Sequence, residues 1–139
     1  MKRDMVQTVD GLPPNFDAIV AVLPDAANPG VMFAYGDKVY GTGIPHVLTR
    51  ELNDHERVHL ERQGADPDSW WKQYLADPAF RYDEELIAHR AEYHTFCCRH
   101  INPVKRAQFL LAISKRLSSS LYGAGVTLEK AMADIREAR

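Results

Sequence analysis

TRELNDHERVHLERQG, residues 49–64, is the stretch of this 139-residue chain that most clearly predicts a helix. Thr49 is a typical N-terminal cap, and Gly64 is a typical stop signal. At about 100° per residue, one helix face mixes apolar side chains with histidine and acid. Its members are Leu48, Leu52, His55, Glu56, His59 and Gln63. The charged residues that lie mainly outside this face are Arg50, Asp54, Arg57, Glu61 and Arg62. The first face is therefore predicted to point inward.

Within this helix, His55 and His59 are four residues apart, which places both imidazoles on one face. Their ring nitrogens can then bind one zinc ion at about 2.0–2.1 Å each. Glu56 lies beside them, where its carboxylate can take a proton from a zinc-activated water. Burying two histidines and a glutamate is costly unless they are paired or bind a metal. The pattern H-E-x-x-H therefore predicts a Zn²⁺ site with His55 and His59 as ligands and Glu56 as the catalytic base. The alternative is a charged surface helix with this spacing by coincidence.

A catalytic zinc needs a third protein ligand, and the helix predicted over residues 81–99 offers candidates. Glu85, His89 and Glu92 share one face of that helix. Glu84 is about 100° away from Glu85 and is expected to point elsewhere. His89 and Glu92 also suit the roles of holding a ligand imidazole or contacting a substrate oxyanion. From these residues alone the third ligand stays open.

The rest of the chain predicts strands before residue 45 and helices after it. Residues 31–35 and 38–40 flank Gly36-Asp37, a two-residue hairpin signal. Residues 16–23 are predicted as a strand, and residues 25–30 as a loop. A capping residue followed by proline opens a helix at Asp66-Pro67 and again at Asn102-Pro103.

Asp77-Pro78 is expected to close the first of these two helices. A C-terminal amphipathic helix is predicted from Leu128, Met132 and Ile135. We therefore expect one α+β domain over residues 1–139, with a small N-terminal antiparallel sheet or hairpin followed by about five helices.

Composition excludes several classes of partner. The net charge is −2 and no cluster of Lys and Arg stands out, so nucleic acid is not an expected partner. The N-terminal apolar run, residues 18–23, is too short to cross a bilayer, so neither a secretory signal nor a membrane partner is expected. Cys97 and Cys98 are adjacent, which suits neither a structural disulfide nor a zinc knuckle. A reducing, cytoplasmic compartment follows from these features.

Residues 48–96 resemble the core of a zincin metallopeptidase of the gluzincin kind. More narrowly, they are similar to small single-domain HExxH proteins encoded by phages and prophages. The metzincin continuation is excluded, because Arg62 and Ala65 stand where it requires glycine and histidine. Glu85 followed by Ala88 resembles the E-x-x-A pattern of gluzincins, in which the glutamate is the third zinc ligand. The resemblance implies a minimal zincin-like fold with Zn²⁺ bound by His55, His59 and Glu85. It also implies that a strand edge within residues 31–40 holds the peptide substrate.

Two functions are compatible with these features. The first is a zinc-dependent metallopeptidase that hydrolyses a peptide or protein substrate through zinc-activated water, with Glu56 as general base. The alternative is a non-catalytic zinc-binding structural or assembly protein, such as a phage virion or tail component, with a partner protein instead of a substrate. Glu56 favours the enzyme, because a structural zinc needs no base beside it. The chain is too short for the second lobe of larger family members, which favours the alternative. The expected location is the cytoplasm, or the virion if the protein is phage-encoded.

Overall fold

The computed structural model describes residues 4–137. In chain order the elements are β1 (Gln7–Asp10), α1 (Phe16–Val22), β2 (Phe33–Tyr35), β3 (Lys38–Gly41), α2 (Arg50–Gln63), α3 (Pro67–Ala76), α4 (Pro78–Arg99), α5 (Pro103–Leu117) and α6 (Leu128–Arg136). A short 3-10 helix, Pro24–Ala27, follows α1. A small sheet near the N-terminus with helices after it makes an α+β fold, which confirms the predicted class. Among residues 4–137, no helix combines the length and apolar character needed to cross a bilayer.

The helices begin and end close to the residues that the sequence indicated. The Thr49 hydroxyl accepts a hydrogen bond from the Leu52 backbone N–H at 3.2 Å, and Gly64, at φ 57°, follows the last residue of α2. Helices α3, α4 and α5 each begin at a proline preceded by a capping side chain, namely Asp66, Asp77 and Asn102. Asp77 ends α3 as predicted and also caps α4, which therefore begins slightly before the expected start near residue 81.

The sheet has three strands in the order β1-β3-β2. Strands β2 and β3 form the predicted antiparallel hairpin around Gly36, whose φ of 68° suits glycine in a two-residue turn. Strand β1, which the sequence analysis did not identify, pairs parallel to β3, with Gln7 opposite Lys38. Strand β2 is consequently an edge strand of this sheet.

The prediction of a strand over residues 16–23 is wrong, because these residues form α1 and its C-terminal cap. Phe16, Ile19 and Leu23 recur at i, i+3 and i+7, so a helix places all three on its inner face. Ile19 is only 1% exposed, whereas Asp17 and Ala18 face solvent. The β-branched residues favoured a strand locally, and one-sided burial outweighed that preference. Part of the predicted loop over residues 25–30 is the 3-10 helix.

Helix α2 is covered on more sides than its sequence pattern indicated. Asp54 was expected outside the buried face, but it is 7% exposed and accepts a hydrogen bond from the Thr95 hydroxyl of α4. Asn53 is fully buried, and its side chain accepts from the Val6 N–H at 2.7 Å and donates to the Asp4 carbonyl at 3.0 Å. The expectation for Asp54 is therefore wrong, because α4 and the N-terminal segment enclose α2 from two further directions.

Two apolar clusters of buried side chains form the core. The first joins α1, β2 and α3 through Ile19, Leu23, Ala26, Phe33, Trp70, Trp71 and Tyr74. The second joins α4, α5 and α6 through Tyr82, Leu86, Leu110, Ile113, Leu117, Ala131 and Ile135. Buried polar side chains of α2 and α4 meet between these clusters, which places the candidate site in the interior of the fold.

Candidate metal centre

The central residues of the predicted motif are buried in the middle of α2. His55, Glu56 and His59 are 3%, 5% and 5% exposed. The two imidazole centroids are 5.0 Å apart, as expected for histidines one helical turn apart. The structure therefore places both histidines and the glutamate on the inward side of α2, as the sequence predicted.

Glu85 of α4 faces the two histidines across the helix contact. Its Oε1 is 3.6 Å from His55 Nε2, and its Oε2 is 3.3 Å from His59 Nε2. Ligand atoms about 2.0–2.1 Å from one tetrahedral zinc are roughly 3.3–3.4 Å from each other, so these separations fit a shared metal. Ala88, one turn further along α4, is fully buried. His55, His59 and Glu85 thus form a buried group that could hold a metal ion.

The hydrogen bonding of Glu85 provides a test of whether a cation fits this position. The Tyr74 hydroxyl donates to Glu85 Oε2 at 2.6 Å, but the buried Oε1 has no hydrogen-bond partner among the described residues. A buried carboxylate oxygen without a partner is costly. Oε1 is directed toward His55 Nε2, so a metal bound between them would satisfy it. The donor set therefore fits a metal ion.

A second group of possible ligands consists of His55, His89 and Glu92. Two members of this group already accept hydrogen bonds from the guanidinium of Arg116. Its Nε donates to His89 Nε2 at 3.2 Å, and its Nη2 donates to Glu92 Oε1. The His89 Nδ1 also lies 2.6 Å from the Glu85 backbone carbonyl, which makes it the donor in that contact. A metal ion here would stand next to the permanent positive charge of Arg116, so the group with Glu85 is the better metal site.

Glu92 instead holds the imidazole of His55. The His55 Nδ1 is 2.8 Å from Glu92 Oε1, which fixes Nδ1–H as the donor and turns Nε2 toward Glu85. The structure therefore places Glu92 in one of the positions that the sequence suggested, holding a possible ligand imidazole, whereas His89 bonds to the Glu85 backbone carbonyl and to Arg116 instead. It brings Glu85, rather than either of these, against the Nε2 atoms of both histidines.

Burial and neighbouring charges shift the pKa values of His55, Glu92 and His89. Burial opposes protonation of His55, but interactions with Glu85 and Glu92 outweigh it and raise the pKa of His55 to about 10. Burial would raise the pKa of Glu92, yet His55 and Arg116 lower it to about 2. Burial, His55 and Arg116 together lower the pKa of His89 to about 3, so His89 is neutral. A metal that binds to His55 Nε2 must therefore displace a proton.

Glu56 lies beside the metal-binding atoms rather than among them. Its Oε2 is 3.7 Å from His55 Nε2, and neither group of possible ligands includes it. Glu56 also lines a cavity of about 310 Å³ that reaches the two histidines and Glu85. The carboxylate can therefore contact a molecule that enters this cavity, which agrees with the position expected of a base.

Two further residues of the cavity wall were not identified from the sequence. Arg116 lies on α5, and Tyr122 lies in the segment after it. Burial, followed by the charge of Glu85, raises the pKa of Tyr122 well above its usual value of 10.0, so its hydroxyl stays protonated. Neither residue belongs to a spacing pattern, and Arg116 simply follows another basic residue, Lys115. No local signal could have identified them.

The remaining candidates have structural roles. Glu84 is 2% exposed and accepts hydrogen bonds from Trp70 Nε1 and Arg62 Nε, each at 2.7 Å, so it points away from the possible metal ligands as expected. Trp70 also packs edge-on against the His59 ring at 5.6 Å. His46 is exposed in the loop before α2. Comparisons of the chain with protein-family models, with curated proteins and with solved structures found no match.

Proposed function

We propose that this protein is a zinc-dependent metallopeptidase of the zincin type, with the gluzincin arrangement of ligands. The observation that carries the proposal is the convergence of His55, His59 and Glu85, with Glu56 beside them, in the lining of one cavity. Two imidazoles and one carboxylate are a ligand set of catalytic zinc sites, in which a fourth position stays open. The cavity supplies the space that an open position requires.

Zinc is the metal that suits this ligand set best. Imidazole nitrogen and carboxylate oxygen at tetrahedral separations favour Zn²⁺ over Mg²⁺ or Ca²⁺, which prefer six or more oxygen ligands. With Glu85 as the one anionic ligand, the centre would keep a unit positive charge. A bound zinc ion would supply a Lewis acid that polarises a carbonyl and lowers the pKa of water.

The side chains around the ligands provide the remaining chemistry. Glu56 would take a proton from the attacking water and pass it to the leaving amine, since its carboxylate shares the cavity with the ligands. Tyr122 would donate its hydroxyl proton in a hydrogen bond to the developing oxyanion, because it lines the same cavity and stays protonated. Arg116 would hold Glu92, and Glu92 would hold His55.

One observation favours a second function, that of a non-catalytic zinc-binding structural or assembly protein, such as a phage virion or tail component. The possible ligands are almost fully buried, as in structural zinc sites. Its partner would be another protein rather than a peptide substrate. In either case the two free cysteines, Cys97 and Cys98, support synthesis in a reducing compartment such as the cytoplasm.

Substitution of Glu56 separates the two functions. Glu56→Gln should keep one zinc per chain and lower hydrolysis of a mixed peptide library by a factor on the order of 10² or more, because only the base is lost. Glu61→Gln is the matched control, since Glu61 is an exposed glutamate of the same helix. Zinc content is measured by elemental analysis and cleavage by mass spectrometry. Zinc binding with no cleavage by the unmodified protein would favour the structural function.

A further inference from the structure

Arg81, near the start of α4, is a buried arginine that no carboxylate neutralises. The residue is only 3% exposed, and among residues 4–137 its guanidinium forms no ion pair. Arginine is almost never fully buried unless it is paired. The N–H groups of Arg81 donate to backbone carbonyls instead, and these carbonyls belong to two different parts of the fold.

One side of the guanidinium binds the C-terminal end of α3. Arg81 Nη1 donates to the Tyr74 carbonyl at 2.7 Å and lies 3.4 Å from the Leu75 carbonyl. The last carbonyls of a helix have no partner within it, and an arginine side chain is one of the groups that satisfy them. Tyr74 belongs to the first core cluster, which fixes this end of α3. The guanidinium is therefore bound to a rigid part of the fold.

The other side of the guanidinium binds the irregular segment between α5 and α6, residues 118–127. Arg81 Nε donates to the Tyr122 carbonyl at 2.5 Å. Among the described residues, no other hydrogen bond involves the main chain of residues 122–126. Capping of α3 does not account for this second bond, since Tyr122 lies outside that helix. Arg81 thus links the segment to α3.

The side chain of Tyr122 shows why this link matters for the site. Tyr122 lines the same cavity as Glu85, and its ring packs edge-on against His89 with the centroids 5.7 Å apart. Arg81 itself does not line the cavity. Because Arg81 binds the carbonyl of the same residue that carries the ring, the bond limits how far the Tyr122 hydroxyl can move. A displacement of roughly 1 Å at a reacting group can cost about 10²-fold in rate.

We propose that Arg81 is a positioning residue, which holds the Tyr122 hydroxyl at a fixed place in the cavity by binding the Tyr122 main chain to the end of α3. Arg81 acts through Tyr122 and touches neither the possible metal ligands nor a substrate. The catalytic consequence rests on the proposed function, in which Tyr122 donates to the oxyanion. The link between the segment and α3 does not rest on it.

The first test observes Tyr122 without zinc and without catalysis. Metal-free protein labelled with 3-fluorotyrosine is studied by fluorine NMR, and the Tyr122 resonance is assigned from its loss in Tyr122→Phe. Arg81→Gln should shift and broaden this resonance, because the bond to the Tyr122 carbonyl is lost. The resonance of Tyr40, in β3, should not move. An unmoved Tyr122 resonance in folded Arg81→Gln would overturn the proposal.

Arg90→Gln is the matched control for this test. Arg90 lies on the same helix, and its Nε also donates to a backbone carbonyl, that of Asp134, at 2.9 Å. The control therefore removes a comparable bond at the other end of the helix and should leave the Tyr122 resonance in place. A shift as large as that of Arg81→Gln would show that any loss of packing on α4 moves the segment, which would contradict a specific role for Arg81.

The second test asks whether Arg81 acts on the reaction through Tyr122. In zinc-loaded protein, Arg81→Gln should lower kcat for peptide hydrolysis by a factor on the order of 10², with little change in KM. Tyr122→Phe already lacks the donor, so adding Arg81→Gln to it should lower kcat by less than about threefold further. Independent, multiplying effects would overturn the positioning role. If the unmodified protein cleaves no peptide, the proposed function fails and the fluorine spectra alone decide whether Arg81 holds Tyr122.

Arg81→Lys is a second variant, to be used if Arg81→Gln does not fold. The lysine ammonium is a compact donor that can satisfy one carbonyl, but it lacks the planar fork that binds both elements at once. It should therefore move the Tyr122 resonance in the same direction and lower kcat by roughly tenfold. An unmoved resonance with unchanged kcat in Arg81→Lys would contradict the proposal.

Discussion

At the scale of single residues, the state of His55 depends on the two carboxylates that flank it. Glu92 lies 2.8 Å from its Nδ1, and Glu85 lies 3.6 Å from its Nε2. These interactions raise the pKa of His55 to about 10, so the imidazole is protonated at neutral pH in the absence of metal. Zinc binding then competes with a proton for Nε2.

This competition predicts how zinc affinity depends on pH. Because the raised pKa of His55 is about 10, protonation weakens zinc binding at every pH below that value. Affinity should fall about tenfold per pH unit between pH 8 and pH 6, with about one proton released per zinc at pH 7. Calorimetric titrations in buffers of different ionisation enthalpy measure this release. Glu92→Gln should reduce the number of protons released, because this substitution removes one of the two carboxylates that stabilise the imidazolium of His55.

The two adjacent glutamates of α4 have different predicted effects. Glu85→Gln should weaken zinc binding by a factor on the order of 10² or more, because the carboxylate next to both Nε2 atoms is lost. Glu84→Gln should leave zinc affinity nearly unchanged and lower the free energy of unfolding by about 1–3 kcal/mol, because it disturbs the bonds from Trp70 and Arg62. Competition with a chromogenic chelator and urea denaturation distinguish these effects. If Glu84→Gln instead weakened zinc binding and Glu85→Gln did not, Glu84 would be the ligand.

Supporting residues should have intermediate effects. Glu92→Ala is expected to lower zinc affinity by roughly 10- to 100-fold, as for other residues that orient a ligand imidazole. An effect as large as that of Glu85→Gln would indicate that Glu92 itself binds the metal.

Sequence reasoning was most informative at this scale. The i, i+4 histidines and the E-x-x-A pattern identified side chains that the fold does bring together, because each pattern lies within one helix. Arg116 and Tyr122 could not be found in this way. Their positions depend on how α5 and the following segment pack against α4, which no local spacing encodes.

At the scale of elements, the contact between α2 and α4 controls the site. Ala88 is fully buried, one turn beyond Glu85 on α4. Ala88→Leu should therefore push α4 away from its neighbours and lower the free energy of unfolding by about 1–3 kcal/mol. It should also weaken zinc binding, since Glu85 must stay within reach of His59. Ala112→Leu, at an exposed position of α5, should change stability by less than about 0.5 kcal/mol. Unchanged zinc affinity in a destabilised Ala88→Leu protein would show that the helix separation does not determine the site.

The helices and the sheet differed in how well their sequences specified them. Helices α2, α3 and α5 begin at side chains whose hydrogen bonds to backbone N–H groups are local, so the capping residues predicted their starts. Helix α4 begins at Pro78 after the cap Asp77, which was expected only to end α3. Strand β1 depends on a parallel partner about thirty positions away, and α1 depends on which of its sides is buried. Both features are tertiary, which explains why one was missed and the other was assigned to the wrong class.

At the scale of the whole molecule, the candidate site lies between two apolar clusters and joins α2 to α4. A metal that binds only the folded chain stabilises it by mass action, by about 2.7 kcal/mol when zinc is at 100 times its dissociation constant. The melting temperature should therefore rise when zinc is added to the metal-free protein and fall again with a chelator.

The most direct measurement of the central claim is zinc content after exhaustive dialysis, compared between the unmodified protein and His59→Ala. His59 is a possible ligand whose Nε2 lies 3.3 Å from Glu85 Oε2, so its loss should remove the metal. We predict about one zinc per chain in the unmodified protein and less than about a tenth in His59→Ala. Zinc below a tenth of an equivalent in the unmodified protein, even after zinc is supplied, would contradict the account, as would equal zinc in both proteins.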